Sequence, residues 1–208
     1  SARNGRQGTS SRPYRPTSIE VINPDGSPSY QANAGIRIRG GFSRSTNNPK
    51  HGLRLFFRST YGDSSFDYPI FGPNGATSYD KFDLRTFQNY SWSFQNDSRF
   101  TGLRDQFSRD TQLAMGQPGE RGDFYHLYIN GQYWGLYNSD ERPEANYAAS
   151  YFGGDKSQYD VIKVETGPYT TQATDGNFDA WNRLWQAVTD PKVDLSTNAA
   201  YYRLQGKN

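Results

Sequence analysis

Residues 35–45 read GIRIRGGFSRS, and Pro49-Lys50 follows shortly after. A strand running into paired glycines, small hydroxyls and basic side chains has the makings of a phosphate cradle. Glycine lets backbone N–H groups approach an anion closely, Ser43 can donate to its oxygens, and Arg44 or Lys50 can neutralise its charge. The same residues also describe a basic strand-turn-strand with a solvated outer face, because they match neither the Walker A nor the Rossmann glycine pattern. Two other groups carry possible chemistry. Asp140, Glu141 and Glu144 stand where a strand gives way to a helix and could work as acid and base, although first-turn acids commonly just answer the helix dipole. Arg104-Asp105 and Arg109-Asp110 lie five residues apart and so do not share one helix face. One pair is then free to point inward, where a carboxylate can orient a phosphate-binding lysine; the alternative is a pair of surface ion pairs. Tyr125, Tyr128, Tyr133, Trp134 and Tyr137 offer either a stacking platform for sugars or bases, or ordinary strand packing.

These side chains must be positioned by elements that the pattern outlines. Residues 17–22 alternate and stop at Asn23-Pro24-Asp25-Gly26; residues 35–39, 53–57 and 80–87 repeat the alternation. Residues 123–129 and 132–137 flank Asn130-Gly131, whose two residues take the positive φ angles of a type I′ turn, so a hairpin is expected. Residues 159–164 suggest a further strand. Helices are expected over 102–115, ending at Gly116 with Pro118 behind it, and over 143–152, stopping at Gly153-Gly154. Phe178, Trp181, Leu184, Trp185 and Val188 recur at helical spacing, with Asp175 or Asn177 as cap. Ser196 caps a last helix ending at Gly206. Strands, then a helix, a hairpin and more helices predict an α+β fold with a mainly antiparallel sheet and packed helices. Residues 1–16 are rich in Arg, Ser, Gly and Pro without periodicity and read as a flexible leader ahead of one domain over 17–208.

Composition narrows the functional classes. The 208 residues contain no cysteine and two histidines, which removes disulfide frameworks, thiolate metal sites and cysteine nucleophiles. The net charge of +2 is too small for strong counterion release, so nucleic acid is not the expected partner. The basic residues nevertheless concentrate toward the N-terminal end, where something anionic is expected to lie. Four Trp, 16 Tyr and 13 Phe supply a core that the aliphatic residues alone would not. No apolar run is long enough to span a membrane or to serve as a secretory signal. Gly-x-Ser-x-Gly, His-Glu-x-x-His, His-Arg-Asp and Asp-Phe-Gly are all missing, so standard hydrolase, zincin and protein-kinase signatures fail.

Taken together, GIRIRGGFSRS with Pro49-Lys50, the Arg104-Asp105 helix, residues 127–141 (LYINGQYWGLYNSDE) and residues 159–163 (YDVIK) resemble the CotH-like spore-coat protein kinases, over about residues 17–206. The resemblance implies a diverged protein-kinase-like fold, here with an incomplete C-terminal lobe. It implies transfer of phosphate from ATP, with Mg or Mn, to Ser or Thr of a protein substrate, at a secreted, cell-surface or spore-coat location. Carried over residue by residue, Gly40, Gly41, Ser43 and Arg44 stand for the phosphate-covering loop and Lys50 for a phosphate-contacting lysine. Asp105 stands for the carboxylate that fixes the lysine, Glu141 lies near the adenine-side hinge, and Lys163 is a further nucleotide or structural contact. The catalytic and metal-holding Asp residues of the family are expected in a segment after the region of 196–206, so the chain reads as an ATP-binding portion, with transfer expected only in the complete protein. The Trp181/Trp185 surface would then be covered by that segment or by another chain. The alternative from the residues themselves is a non-catalytic surface module that binds polysaccharide or a matrix protein through Tyr133, Trp134 and Tyr137.

Overall fold

The computed structural model of the chain describes residues 14–89, 91–94, 96–164 and 170–205. It divides into two compact units, Ser1–Pro143 and Glu144–Asn208. Most of the expected leader, up to residue 13, and the expected helix stop at Gly206 lie outside the described residues.

The first unit carries β1 (Arg15–Val21), β2 (Tyr30–Ile38), β3 (Leu53–Phe56), β4 (Lys81–Arg85), α1 (Arg104–Ala114), β5 (Gly122–Ile129) and β6 (Gln132–Asp140). They form one sheet in the order β1-β2-β3-β4-β6-β5, and every pairing is antiparallel. β1 begins two residues ahead of the expected strand and takes in Pro16, which an edge strand accommodates because one row of its N–H groups has no ladder to join. Asn130 and Gly131 take φ of 50° and 80°, the left-handed pair that a type I′ turn demands. α1 buries none of its residues; it lies on the surface and ends as expected, with Gly116 at φ 74°.

Alternation along the strands sorts most of the apolar residues to one face. Leu55, Phe57, Phe66, Phe82 and Tyr137 are all fully buried. The Phe82 ring centroid lies 5.2 Å from Phe66, 5.5 Å from Phe57 and 6.0 Å from Phe71, so aromatic rings do the filling that the sparse aliphatics leave undone. Tyr137 therefore takes the strand-packing alternative and drops out of any aromatic platform. It sits under the sheet, its hydroxyl donating to the His51 carbonyl at 3.1 Å. One close approach depends on a missing side chain: a Cβ on Gly35 would stand 2.4 Å from the Tyr61 ring. Gly35→Ala is expected to cost about 1–3 kcal/mol through overpacking, read by urea unfolding, and the double variant Gly35→Ala/Tyr61→Ala should recover most of the loss. Failure of the second change to help would remove Tyr61 as the cause.

The second unit holds α2 (Ala145–Phe152), β7 (Val161–Val164), β8 (Thr171–Asp175), α3 (Asp179–Thr189) and α4 (Asn198–Leu204). β7 and β8 pair antiparallel as a separate ribbon. Asn177 serves the start of α3, accepting from the Asp179 N–H at 2.7 Å, whereas Asp175 accepts from the Ala145 N–H at the start of α2. Thr197 caps α4 in place of the expected Ser196, accepting from the Ala200 N–H at 3.3 Å. Trp181 and Trp185 stack one helical turn apart, and Trp185 is exposed. The architecture is α+β with a mainly antiparallel sheet. No helix among the described residues is long and apolar enough to cross a membrane.

Candidate functional site

A row of charged residues crosses the sheet on the face opposite the aromatic core. The register places Arg37 against Arg54, Arg54 against Asp83, and Asp83 against Asp140, and directly opposed residues of an antiparallel pair share a face. Asp83 is fully buried. It accepts from Arg54 Nε at 2.5 Å and Arg54 Nη2 at 2.9 Å, while Arg39 Nη1 stands 3.2 Å and Arg142 Nη1 3.5 Å away. Asp140 is just as buried, its nearest cation being Arg85 Nε at 3.9 Å. Its Oδ1 makes no hydrogen bond. Burial, only partly offset by Arg85 and reinforced by Asp83, pushes the Asp140 carboxyl up to about 7. Two facing carboxylates are thus reconciled in different ways: Asp83 collects three guanidinium groups, and Asp140 holds a proton over much of the acid range. Neither Asp140 nor Glu141 answers a helix dipole, since Asp140 closes β6 and Glu141 lies buried just after it. The Glu141 carboxylate accepts from the Arg121 N–H at 2.8 Å.

Residues 40–51 form the turn between β2 and β3. Its base is tied by Arg39 N–H donating to Gly52 O at 2.9 Å and by a 2.9 Å contact between His51 Nδ1 and Ser43 O. Of the paired glycines, Gly40 is the one its position requires. It has φ 106° and a Cβ there would collide with Ser43 Oγ, whereas a Cβ on Gly41 meets nothing within 4 Å. Two of the loop N–H groups are already used inside the turn, Arg44 N to Gly41 O and Asn48 N to Ser45 O. Lys50 turns toward the sheet. Its Nζ donates to Leu136 O at 2.7 Å and lies 4.5 Å from the centre of the Tyr137 ring, and desolvation holds its pKa below the usual lysine range. Gly135 makes room for it, since a Cβ there would lie 2.7 Å from Lys50 Nζ.

Beside this turn opens a cavity of about 460 Å³, lined only by residues between Arg39 and Asn138. Gly40, Ser43 and Gly52 form the turn side, and the end of β4 with the segment after it contributes Arg85, Phe87, Gln88 and Asn89. Phe100, Arg104 and Asp105 close it from the α1 side. Three guanidinium groups therefore border the space with a single carboxylate, Asp105, and that carboxylate is held by Arg85 Nη2 at 2.7 Å. A space of this size, edged by glycines and cationic forks, suits a small polyanion. Of the two helix pairs, Asp105 faces the cavity and Arg109 points into the sheet, where its Nη2 donates to Asn138 Oδ1 at 2.5 Å.

The residues named from the sequence are distributed as follows. Gly40, Ser43 and Asp105 line the cavity. Gly41 and Arg44 are exposed on the turn. Lys50 and Glu141 are engaged with the sheet, so Asp105 and Lys50 are not partners; each has a different ion or carbonyl to answer. Lys163 is exposed on β7, in the second unit. Arg39, Arg85 and the amides Gln88 and Asn89 were passed over by sequence reasoning. Arg85 closes an alternating strand, where an outward basic residue is commonplace, and only the pairing of β4 beside β2–β3 carries it to the turn. Among the described residues no group of three or more His, Asp or Glu side chains is placed to hold a metal ion.

None of the curated proteins matches the chain. The family model described as CotH kinase protein matches residues 36–202, a span that contains the turn, the whole cavity, the Asn-Gly hairpin and the second unit as far as the middle of α4, and this chain belongs to the CotH kinase protein family.

Proposed function

We propose that the cavity beside Gly40 receives the triphosphate of ATP, and that the chain supplies the nucleotide-binding part of a Ser/Thr protein kinase. The observation that carries this reading is the lining itself: Arg39, Arg85 and Arg104 around about 460 Å³, with Asp105 as the sole carboxylate among the described residues. Phosphoryl transfer relies on positioning and charge neutralisation more than on covalent work by the protein. Forked guanidinium donors, Arg39 held at the buried Asp83 and Arg85 at the exposed Asp105, support the positioning part of that requirement. These residues bind and orient the phosphates, and Mg or Mn, where bound, would neutralise their remaining charge. Family membership supports a protein acceptor with Ser or Thr and work at the spore coat or cell surface.

The test is a thermal shift with ATP and Mg or Mn. A ligand that binds only the folded state at a hundredfold excess over its Kd adds about 2.7 kcal/mol, which for a chain of this size raises Tm by roughly 5–10 °C. Adenosine, which lacks the phosphates, should leave Tm unchanged. An equal response to adenosine and ATP, or none to either, would rule the reading out.

A second reading has its own observation. Tyr128, Tyr133 and Trp134 stand exposed at the tip of the β5–β6 hairpin, with the Tyr128 and Tyr133 rings 5.1 Å apart. Exposed rings of this kind stack on sugar faces, and a glycan array separates a polysaccharide-binding module from a nucleotide-binding one.

A further inference from the structure

A guanidinium that grips phosphate must face the cavity, have donors to spare and be held still. The three cavity arginines differ on these points. Arg39 is committed inward: its Nη1 belongs to the Asp83 cluster and its Nε is buried without a hydrogen-bond partner. Arg104 reaches back along its own segment, with Nη2 donating to the Arg99 carbonyl at 3.1 Å. Arg85 comes from the last residue of β4, so its backbone is fixed by the sheet, and its side chain enters the cavity wall. One edge of its fork is set by Asp105 Oδ2 at 2.7 Å, and its Nε looks toward Asp140 Oδ1 at 3.9 Å. A guanidinium carries five N–H donors, and the Asp105 bond uses one of them.

We propose that Arg85 is the cation that grips the phosphates in this cavity and that Asp105, in the first turn of α1, is its positioning residue. The inference rests on the triphosphate reading of the cavity. It moves the central charge from Lys50, whose ammonium sits against Leu136 O and the Tyr137 ring and does not line the cavity, to a guanidinium on β4. The ligand is defined as a chain of phosphates presenting paired oxygens, which a planar fork meets bidentately and a point charge does not. Because Asp105 sits on a surface helix, docking of the polyanion also becomes coupled to how α1 lies against β4.

The experiment is calorimetric titration of the whole chain with inorganic tripolyphosphate and with ATP, comparing Arg85→Lys, Arg85→Ala, Asp105→Asn and Lys50→Ala with the unmodified protein. Arg85→Lys keeps the charge and loses the fork, so at least a tenfold rise in Kd is expected for both ligands. Arg85→Ala should raise Kd further, by more than Lys50→Ala does. Asp105→Asn should weaken binding several-fold while Tm moves by no more than about 2 °C, since a pair this exposed contributes little to folding; a merely structural residue would move Tm and leave Kd alone. If the unmodified protein binds but Arg85→Lys binds equally well, the inference fails and the reading of the cavity stands. Tighter binding by Asp105→Asn would also overturn it, by showing that the carboxylate competes with phosphate. If the unmodified protein binds neither ligand, the reading of the cavity fails and this inference with it.

Discussion

Asp83→Asn is expected to cost about 3–5 kcal/mol, the loss typical of removing one partner from a buried ion cluster. The carboxylate is fully buried and answers Arg54 bidentately, with Arg39 and Arg142 within 3.5 Å. An amide has the same shape but no charge, so three largely buried guanidinium groups would face one another without a compensating carboxylate. Domains of ordinary stability hold about 5–15 kcal/mol in all, so the variant would sit close to unfolding at room temperature. Urea denaturation of the two proteins at neutral pH measures the difference. A loss below about 1 kcal/mol would mean that the arginines find water or other acceptors, and the cluster would cease to be an organising feature of the sheet.

The facing carboxylate should behave in the opposite sense. Asp140→Asn is expected to stabilise the protein at pH 8 by about 2–4 kcal/mol and to do almost nothing at pH 4. The sign follows from where the proton sits. The folded carboxyl titrates at about 7 because burial disfavours its charge, whereas the unfolded one titrates near 4. Between those values the folded state binds the extra proton, so raising the pH through this window draws stability away, and above about 7 the loss is complete. Each unit of difference corresponds to about 1.4 kcal/mol, so about 4 kcal/mol is the ceiling, with the attraction of Arg85 at 3.9 Å already part of it. Subtracting the two pH–stability curves isolates Asp140 from every other titrating group. A flat difference curve would mean that the carboxyl ionises in the folded state as readily as in water.

These two residues also show what could be read in advance. The alternation in residues 80–87 sends Phe82 and Leu84 to one face and Asp83 and Arg85 to the other, and the faces are as expected. Periodicity tells which side a residue takes but not whether that side is dry. Asp83 is buried because Arg39, Arg54 and Arg142, contributed by three separate segments, converge over it, and convergence of that kind has no local signature. The two alternatives for Tyr137 stayed open for a related reason: a strand tyrosine packs or presents its ring according to which sheet neighbours it gets, and here it gets Lys50 and His51. The Asn-Gly hairpin and the Gly40 turn were legible because positive φ is a demand the backbone makes on single residues. β8 was not, since Thr171–Asp175 has no apolar alternation and is a strand only because β7 lies beside it. In the cavity, glycines and a hydroxyl could be named from composition, whereas Arg85 acquires its meaning from Asp105, twenty residues later.

The fastening of Lys50 to Leu136 and of Tyr137 to His51 joins points 86 residues apart along the chain. On a ribosome adding about 5–20 residues per second, the Gly40 turn would emerge roughly 4–17 s before the strand that anchors its far end. Through that interval the nascent polypeptide offers an unfastened turn and the bare flank of β4, and these are the surfaces that a chaperone would have to shield until synthesis reaches the hairpin.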